Sequence, residues 1–306
     1  MARNKNGEKG VNIDIIGAGA WGTAIGKVLR GNSHAVRYIE RSHAHWPQGN
    51  APDYIFLALP CQTVRARLSP LDVPPAPMIS LTKGIEIGTG LRVTQILQQI
   101  LTPRHLAALS GPNFAVEVER QAPTATVVAS SNQEFAQTVQ SLLHQKFFRV
   151  YRSDDLIGVE LGGALKNIYA IAAGICVGLN IGDNGMAGLL TRSLAEMARI
   201  GCVLGAKKET FFGLSGIGDL MLTAYGGRSR NHQVGEAIGK GATVEEALKS
   251  IIGVAEGVPT TEAVFRLARE KGLKTPVLDE VHKILYESKP PLTAFHDLML
   301  RQVEAE

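Results

Sequence analysis

The sequence predicts an α/β fold, with a parallel-sheet domain over residues 11–152 followed by an all-helical domain over residues 153–306. In the first half, short apolar runs alternate with helix-like segments, a pattern typical of a parallel sheet covered by helices. Ten of the fourteen prolines precede Thr124 and none lies between Thr124 and Val258, so this later stretch can be continuously helical. A chain of 306 residues is long enough for two domains.

Six apolar runs predict the strands, at Val11–Ile16, Ala35–Ile39, Tyr54–Leu59, Met78–Leu81, Leu106–Leu109 and Ala125–Ala129. Five segments between or after them have helical character, at Ala20–Arg30, Gln62–Leu68, Leu91–Leu101, Phe114–Arg120 and Gln133–Leu143. The connection between the second and third runs, residues 40–52, contains two prolines and leaves no room for a full helix.

The second half has its own helix signals. Gly158–Leu179 and Ala187–Leu204 predict two buried helices whose many Gly and Ala residues permit close packing. Thr243 begins a capping box, and Pro276 precedes apolar residues at helical spacing. The most apolar stretch, residues 168–181, is shorter than the roughly 20 residues that a membrane span needs, so no span is expected.

Composition restricts the class of protein. Apolar residues make up 45% of the chain and charged residues 20%, which is ordinary for a soluble globular protein. A net charge of +4 is too weak to predict a nucleic-acid partner, although it suits an anionic ligand. The three cysteines lack the spacing of a disulfide framework or a zinc site, which favours the cytoplasm. Residues 1–10 are polar, unlike a secretory signal, and are expected to form a flexible tail.

Residues 15–24 (IIGAGAWGTA) contain the glycine spacing of a dinucleotide-binding turn, between a predicted strand and a predicted helix. Gly17 permits the tight turn, Gly19 lets backbone amides approach a pyrophosphate, and Gly22 lets the helix pack closely on the sheet. The anion would lie at the helix N-terminus, where unpaired N–H groups point outward. The sequence therefore predicts a dinucleotide site of the Rossmann type.

Loops that follow three later strands are candidate ligand contacts, because the carboxyl ends of parallel strands face the ligand crevice of an open sheet. Lys83 follows one strand directly, where it would meet a cofactor or an anionic substrate; the alternative is a solvated loop lysine. Residues 110–115 (SGPNFA) open a helix and offer backbone amides and the Asn113 side chain. Pro60 ends a third strand, and simple strand termination explains it equally well.

Lys166 is the strongest candidate for catalysis. It lies among apolar and small residues of a predicted helix, where a buried ammonium group is costly unless a polar group meets it. Burial and a neighbouring cation such as Lys83 would both lower its pKa, which prepares a lysine for proton transfer near neutral pH. The alternative is a lysine that extends along the helix flank into solvent.

Two later turns carry further candidates. Asp219 follows a glycine-rich turn, where it could orient a lysine, bind a hydroxyl group or cap a helix. Ser229, Arg230 and Asn231 precede a helix-like run, so a guanidinium group and helix-end N–H groups could together clamp a phosphate. A pair of surface arginines is the alternative. The two histidines in the proline-containing connection lack a third ligand, so no metal site is expected.

Seven motifs resemble, in order and spacing, those of bacterial NAD(P)-dependent glycerol-3-phosphate dehydrogenase, from residue 11 to residue 290. They are GAGAWGTA (17–24), LTKGIE (81–86), SGPNFA (110–115), GGALKN (162–167), GIGDL (216–220), SRN (229–231) and VAEG (254–257). The resemblance implies a Rossmann-type domain followed by a helical domain, in the 6-phosphogluconate-dehydrogenase-like architecture. It also implies reversible NAD- or NADP-dependent reduction of dihydroxyacetone phosphate to sn-glycerol 3-phosphate, for glycerophospholipid synthesis.

The resemblance further implies roles for individual residues, with Lys166 as the catalytic general acid and base. The substrate-binding positions that match are Lys83, Gly111, Asn113, Lys166, Asp219, Ser229, Arg230 and Asn231. The turn glycines and Arg41 are added to the positions that match the family's cofactor contacts. The expected cofactor-binding positions are then Gly17, Gly19, Ala20, Trp21, Gly22, Arg41, Lys83, Ala115, Arg230, Val254 and Glu256.

The sequence departs from the family pattern at two places. Asn113 stands where many relatives have a hydroxyl residue, although an amide also donates and accepts hydrogen bonds. Glu40 lies where an acidic residue would bind the adenosine ribose of NAD, whereas the adjacent Arg41 could accommodate the extra phosphate of NADP. The choice between the two cofactors is therefore open. The shortened connection after Arg41 resembles the cyanobacterial branch of the family.

The sequence thus predicts a cytoplasmic dehydrogenase, expected as a homodimer, that acts on a small molecule. Two alternatives stay open at this stage. Another hydroxyacid dehydrogenase of the same architecture, such as a ketopantoate reductase or a 3-hydroxyisobutyrate-type enzyme, would not need the clamp at residues 229–231. A redox sensor that binds a dinucleotide without turnover would leave Lys166 and Asp219 idle, since fold does not fix function.

Overall fold

The computed structural model describes residues 10–40 and 45–301. The expected flexible tail lies outside these residues except for Gly10, and so does Arg41, one of the expected cofactor contacts. Within the described residues, a single sheet with its covering helices comes first in the chain, and a group of helices follows it.

The first half of the chain forms a seven-stranded sheet. Strands β1 to β7 are Asn12–Ile16, Ala35–Ile39, Tyr54–Leu57, Met78–Ser80, Leu106–Ser110, Thr124–Ala129 and Phe148–Ser153. They lie in the order β2-β1-β3-β4-β5-β6-β7, and neighbouring strands are parallel except for β5 and β6. The chain leaves β1 toward β2 on one side and continues at β3 on the other. The carboxyl ends of β1 and β3 therefore form a switch point, the usual place for a ligand crevice.

The sheet differs from the prediction in two respects. Strand β7 was not among the six predicted runs, and β6 is antiparallel to β5 within the sheet that was predicted to be parallel. The helix between β5 and β6, Ala115–Glu119, has five residues and spans only about 7.5 Å, whereas β5 spans about 17 Å. So short a helix cannot carry the chain back to the level where β5 begins. Strand β6 therefore starts at the end of the sheet where β5 finishes, and it runs antiparallel to β5.

Five helices cover the sheet close to their predicted positions. Helices α1 to α5 are Ala20–Gly31, Val64–Leu68, Val93–Ile100, Ala115–Glu119 and Gln133–Leu143. One apolar cluster buries α1, α4 and α5 against one face, and a second buries α2 and α3 against the other. The structure describes residue 40 and residues 45–53 of the connection between β2 and β3, and these contain no helix, as expected.

After β7 the described chain is helical. Helices α6 to α13 are Leu156–Gly178, Asp183–Val203, Asp219–Tyr225, Arg230–Gly239, Val244–Lys249, Gly257–Glu270, Pro276–Tyr286 and Pro291–Met299. The Thr243 hydroxyl and the Glu246 side chain form the predicted capping box at the start of α10. A short 3₁₀ helix, Lys208–Phe212, and a π-helical turn, Leu214–Gly218, precede α8.

Helix α6 is the centre of the helical region. Its length and mean hydropathy of 1.4 would suffice to cross a membrane, but 89% of its most apolar window is buried inside the protein. This burial is typical of a core helix. A Cβ on Gly174 would lie 2.1 Å from the His232 carbonyl oxygen, so glycine lets α9 lie directly against α6. The predicted close packing of this helix therefore occurs, and it depends on the absence of a side chain at Gly174.

Candidate active site

The loop before α1 has the shape of a dinucleotide-binding turn. Gly17 adopts a φ of +105°, and a Cβ there would lie 2.6 Å from the Ala58 carbonyl oxygen just after β3. A Cβ on Gly22 would lie 2.1 Å from the Gly17 oxygen, whereas one on Gly19 would meet no described atom within 4 Å. The open side of Gly19 and the exposed N-terminus of α1 leave room for an anion at the switch point. The three glycines therefore fit a pyrophosphate.

A buried carboxylate lies between two lysines, and we call Lys83, Lys166 and Asp219 the lysine–aspartate cluster. Asp219 Oδ2 accepts a hydrogen bond of 2.5 Å from Lys83 Nζ, and its Oδ1 lies 3.1 Å from Lys166 Nζ. Lys83 Nζ also donates to the Gly111 carbonyl oxygen at 3.0 Å. Asp219 is the first residue of α8, and Gly218 occupies the cap position, so Asp219 does not act as the cap. The structure thus brings three predicted site residues to one point.

Burial changes the acid–base behaviour of Lys166, whose side chain is 8% exposed. The loss of hydration lowers its pKa from 10.5 to about 8. The Asp219 charge opposes this shift, whereas the positive charges of Lys83 and Arg230 add to it. Lys166 is therefore mostly protonated at pH 7 but can release a proton close to neutrality. A lysine that extends into solvent is ruled out by the same burial.

Helix α6 reaches the cluster because two of its residues lack side chains. A Cβ on Gly162 would lie 2.5 Å from the Ser215 carbonyl oxygen, and one on Gly163 would lie 2.4 Å from the Ser110 hydroxyl. The helix backbone therefore contacts both the last residue of β5 and the π-helical turn before α8. This close approach brings Lys166, about one turn further along α6, into the cluster.

Two members of the predicted phosphate clamp stabilise α9. Ser229 caps the helix, and its hydroxyl accepts a hydrogen bond of 3.3 Å from the His232 N–H. Asn231 is buried, and its amide nitrogen donates to Asn167 Oδ1 at 2.9 Å. The Asn231 oxygen accepts from the Gly257 N–H at 2.8 Å. Ser229 therefore caps α9 itself, whereas Asn231 fixes the N-terminus of α9 relative to α6 and α11.

Arg230 is the exposed member of the predicted clamp and the first residue of α9. Its guanidinium lies beside Gly253, where a Cβ would be 2.6 Å from Nη1. Its charge acts on both Lys166 and Glu256. It lowers the pKa of Lys166 together with burial, and it lowers the pKa of Glu256 against the effect of burial. Arg230 thus lies near the cluster at a helix N-terminus, an arrangement suited to an anion.

The loop after β5 faces the cluster with its main chain. The Gly111 carbonyl accepts from Lys83, as described above. Asn113 donates to the Ala125 carbonyl oxygen at 3.1 Å and accepts from the Thr126 hydroxyl at 3.0 Å. These bonds hold the Asn113 side chain against β6 and leave one of its amide N–H groups for a ligand.

Glu256 joins the two halves of the chain next to the cluster. Its Oε1 accepts from the Cys61 N–H at 3.1 Å, while Oε2 is buried and has no hydrogen-bond partner among the described residues. Burial raises the pKa of Glu256 to about 7, and the Cys61 bond and the Arg230 charge oppose that shift. The unpaired oxygen lies 3.0 Å from where a Gly84 Cβ would be. A buried acceptor without a donor at a crevice suits a cofactor contact.

The chain matches known proteins over nearly its whole length. A protein from Syntrophotalea carbinolica named glycerol-3-phosphate dehydrogenase (NAD(P)+) is 40% identical, over 97% of this chain and 99% of that protein. The chain belongs to the NAD-dependent glycerol-3-phosphate dehydrogenase family. The model for the N-terminus of this family matches residues 12–51 and 48–136, and the model for its C-terminus matches residues 155–296.

Solved structures agree with this assignment. The crystal structure of glycerol-3-phosphate dehydrogenase from Coxiella burnetii has a TM-score of 0.88 and 35% identity, covering 95% of this chain and 99% of that chain. A ketopantoate reductase from Staphylococcus aureus reaches a TM-score of 0.53 at 14% identity, covering 94% and 99%, which shows a shared fold alone. The family resemblance and the fold class predicted from the sequence are confirmed; the cyanobacterial branch stays a prediction.

In this member of the glycerol-3-phosphate dehydrogenase family, the remaining expected cofactor residues lie at two helix starts and one loop. Ala20 and Trp21 open α1, Ala115 opens α4, and Trp21 and Ala115 pack against the same apolar cluster. Val254 is 43% exposed, two residues before Glu256. These residues stay predicted contacts, as does Arg41, which the structure does not describe.

Sequence reasoning missed two groups at the site. The first is the Cys61 N–H, which donates to Glu256. Cys61 directly follows Pro60, for which the sequence supported a functional and a structural interpretation equally. The buried Ser110 hydroxyl lies against Gly163 and has no partner within the described chain. The sequence predicted ligand contacts from the backbone amides and the Asn113 side chain of the same motif, but not from Ser110. Position at the end of a strand was the available signal for both.

Proposed function

We propose that this protein catalyses the reversible NAD(P)H-dependent reduction of dihydroxyacetone phosphate to sn-glycerol 3-phosphate, for glycerophospholipid synthesis. The observation that supports the proposal is the lysine–aspartate cluster, in which a buried lysine with a lowered pKa contacts a carboxylate that also bonds Lys83. Residues 11–152 would hold the dinucleotide, and residues 153–306 would supply most of the substrate contacts. The family of the chain and its 40% identity to a named glycerol-3-phosphate dehydrogenase support this assignment.

In the reductive direction, Lys166 is the proton donor. Its ammonium group bonds the substrate carbonyl oxygen and stabilises the negative charge that develops there. The reduced dinucleotide, when bound, supplies the hydride for the carbonyl carbon. Lys166 then gives its proton to the oxygen, which leaves a neutral amine and completes the alcohol. In the oxidative direction, the neutral amine accepts that proton.

Asp219 and Lys83 orient Lys166 for this transfer. Asp219 bonds both lysines, and Lys83 is itself held by the Gly111 carbonyl. Because all three charged side chains are largely buried, their positions are defined by these bonds rather than by solvent. A preorganised donor costs little rearrangement when the substrate binds.

The substrate phosphate would bind at the N-terminus of α9, next to Arg230. We expect Arg230→Ala to raise the KM for dihydroxyacetone phosphate by about 10- to 150-fold, because a hydrogen bond to a charged group contributes about 1.5–3 kcal/mol. Steady-state kinetics at saturating NADPH measure this constant. Arg228→Ala is the matched control, since that arginine is about half exposed and lies 3.6 Å from Glu117. An unchanged KM in Arg230→Ala would place the phosphate elsewhere.

Oxidation of NADPH and NADH by the purified protein in the presence of dihydroxyacetone phosphate tests the assignment. We expect turnover, and the ratio of kcat/KM for the two cofactors decides between the Glu40 and Arg41 interpretations. Absence of turnover with both cofactors would contradict the proposal and favour a sensor that binds a dinucleotide without chemistry.

The protein is further proposed to work as a homodimer in the cytoplasm. An apolar groove of about 1660 Å³ lies in the helical region, lined by residues of α6, α7, α12 and α13. Phe212 and Met299 at this groove are 58% and 69% exposed, and an apolar surface of this kind is typical of an interface.

All three cysteines are free, which suits a reducing compartment such as the cytoplasm.

Sedimentation equilibrium tests the dimer. We expect the wild type to have twice the monomer mass, and Gly188→Glu to shift it to the monomer mass. Gly188 is exposed on α7 at the groove, and a side chain there would meet no described atom within 4 Å, so the fold should be kept. Ala66→Glu on α2, an exposed position away from the groove, is the control. A monomeric wild type would contradict the dimer.

A further inference from the structure

The Glu160 carboxylate joins the helical half of the chain to the sheet half. It lies on α6, six residues before Lys166, and its side chain is 5% exposed. Its Oε1 accepts from the Thr94 N–H at 2.9 Å, and its Oε2 accepts from the Thr94 hydroxyl at 2.5 Å. Arg92 also donates to Oε2 and forms an ion pair with it. Three donors from the sheet half therefore converge on one carboxylate.

Glu160 caps the start of α3 from another part of the fold. Thr94 is the second residue of α3, so its N–H has no acceptor within the helix. Gln95 Oε1 accepts from the Arg92 N–H at 3.0 Å, whereas the Thr94 N–H donates to Glu160 Oε1. The helix dipole favours a carboxylate at this end as well. Loss of the carboxylate would leave a buried guanidinium and a buried N–H without their acceptor.

The Glu160 contact completes a closed path of packed segments, which we call the ring. The ring contains both Lys83 and Lys166. The loop formed by residues 81–92 begins after β4, carries Lys83 and ends at the helix that Glu160 caps. On the other side, α6 carries Lys166 about 9 Å beyond Glu160. The ring closes at Asp219, which bonds both lysines. The separation of the two lysines is thus set at two places, Asp219 and Glu160.

Hydrogen bonds from neighbouring side chains hold the loop of residues 81–92 in a fixed conformation. The Gln62 side chain donates to the Ile85 carbonyl oxygen at 2.8 Å and accepts from the Ile87 N–H at 3.0 Å. Arg65 holds Glu86 through two hydrogen bonds of 2.9 and 2.8 Å. Because the interior of the loop is fixed in this way, a shift of α3 relative to α6 changes the distance between Lys83 and Lys166.

We propose that Glu160 is a positioning residue, which fixes α6 against the loop of residues 81–92 and so holds Lys166 at the distance from Asp219 that proton transfer requires. The inference rests on the proposed dehydrogenase function. Glu160 does not touch the reacting atoms in this account. Its effect passes through the ring, and a misplacement of about 1 Å in a catalytic group can cost about 10²-fold in rate.

The test compares Glu160→Gln with Asp155→Asn in the full-length protein. Asp155 is a close match, because it is the N-cap residue of α6 and is also a buried carboxylate that accepts from three donors. It accepts from the Gly158 and Lys207 N–H groups and from the Thr210 hydroxyl. All three of these donors belong to the helical half. Each variant removes one buried charge, but only Glu160→Gln weakens the contact with the sheet half.

For Glu160→Gln we expect kcat for reduction of dihydroxyacetone phosphate to fall about 10- to 100-fold, with the KM for NADPH changed by less than about twofold. The midpoint of the alkaline decline in kcat/KM should also move upward from pH 8, because a loosely packed Lys166 regains hydration beside Asp219, Lys83 and Arg230. For Asp155→Asn we expect a lower melting temperature with the wild-type kcat and midpoint.

The wild-type kcat and midpoint in Glu160→Gln would overturn the proposal, and so would equal changes in Asp155→Asn. If Glu160→Gln does not fold, Thr94→Val replaces it and removes only the hydroxyl donor. We then expect a smaller change in the same direction, and a folded Thr94→Val with the wild-type midpoint would overturn the proposal. Wild-type turnover is measured alongside, because its absence would overturn the dehydrogenase function rather than the positioning role alone.

Discussion

Lys166→Met should lose most of its turnover while keeping its fold. We expect kcat for reduction of dihydroxyacetone phosphate to fall about 10²- to 10⁴-fold, the contribution of a positioned general acid. The reason is that methionine fills nearly the same buried space at the cluster but carries no proton. Steady-state oxidation of NADPH measures the loss, and binding of NADPH to the variant checks that the cofactor crevice is intact.

The stability of this variant separates a chemical defect from a structural one. Lys83 still pairs with Asp219 when Lys166 is replaced, so the carboxylate keeps a charged partner. Replacing a buried charge by an apolar group of similar volume is often neutral or stabilising. We therefore expect a melting temperature at or above that of the wild type. Undiminished turnover in this folded variant would remove Lys166 from the mechanism.

Asp219→Asn should damage both stability and rate. It removes the only carboxylate that the structure shows against Lys83 and Lys166 within the described residues. Two largely buried ammonium groups would then share an uncharged amide, and breaking a buried ion pair on one side costs about 3–5 kcal/mol. We also expect kcat to fall about 10²-fold, since Lys166 loses the bond that orients it. Denaturant unfolding and steady-state kinetics measure the two effects.

The pH profile of Asp219→Asn has a defined sign. The Asp219 charge raises the pKa of Lys166 against the effect of burial, so its removal lowers that pKa below 8. Lys166 then loses its proton at lower pH, and the alkaline decline in reductive kcat/KM moves to lower pH. Asp14→Asn, which breaks the ion pair between buried Asp14 and partly exposed Arg37 in the sheet, should lose stability with the midpoint unchanged. A midpoint in Asp219→Asn that stays or rises would contradict this account.

The parts of the fold and site that depend on local sequence could be predicted. Gly17 and Gly22 are required by contacts with the adjacent strand and turn, so their spacing identifies the motif. Lys166 could be found because a charged residue in an apolar helix needs a polar partner. The partner itself, Asp219, could be named but not its geometry, and the helix cap remained an equal alternative until the structure placed it at the first turn of α8.

The parts that depend on contacts between distant segments could not be predicted. Strand β7 has only two buried positions, Phe148 and Val150, and exposed residues alternate with them, so no continuous apolar run marks it as a strand. Glu160 and Thr94 are 66 residues apart, and Glu256 and Cys61 are 195 apart. No local pattern marks such pairs, because each partner alone looks like an ordinary polar residue.

The central claim is that Lys166 supplies the proton, and the pH dependence of kcat/KM for dihydroxyacetone phosphate in the reductive direction tests it most directly. A general acid must be protonated to act, so kcat/KM should decline above a midpoint near pH 8, the value set mainly by the burial of Lys166. The residual activity of Lys166→Met should lack this decline. A profile that stays level to pH 10, or an equal decline in Lys166→Met, would contradict the account.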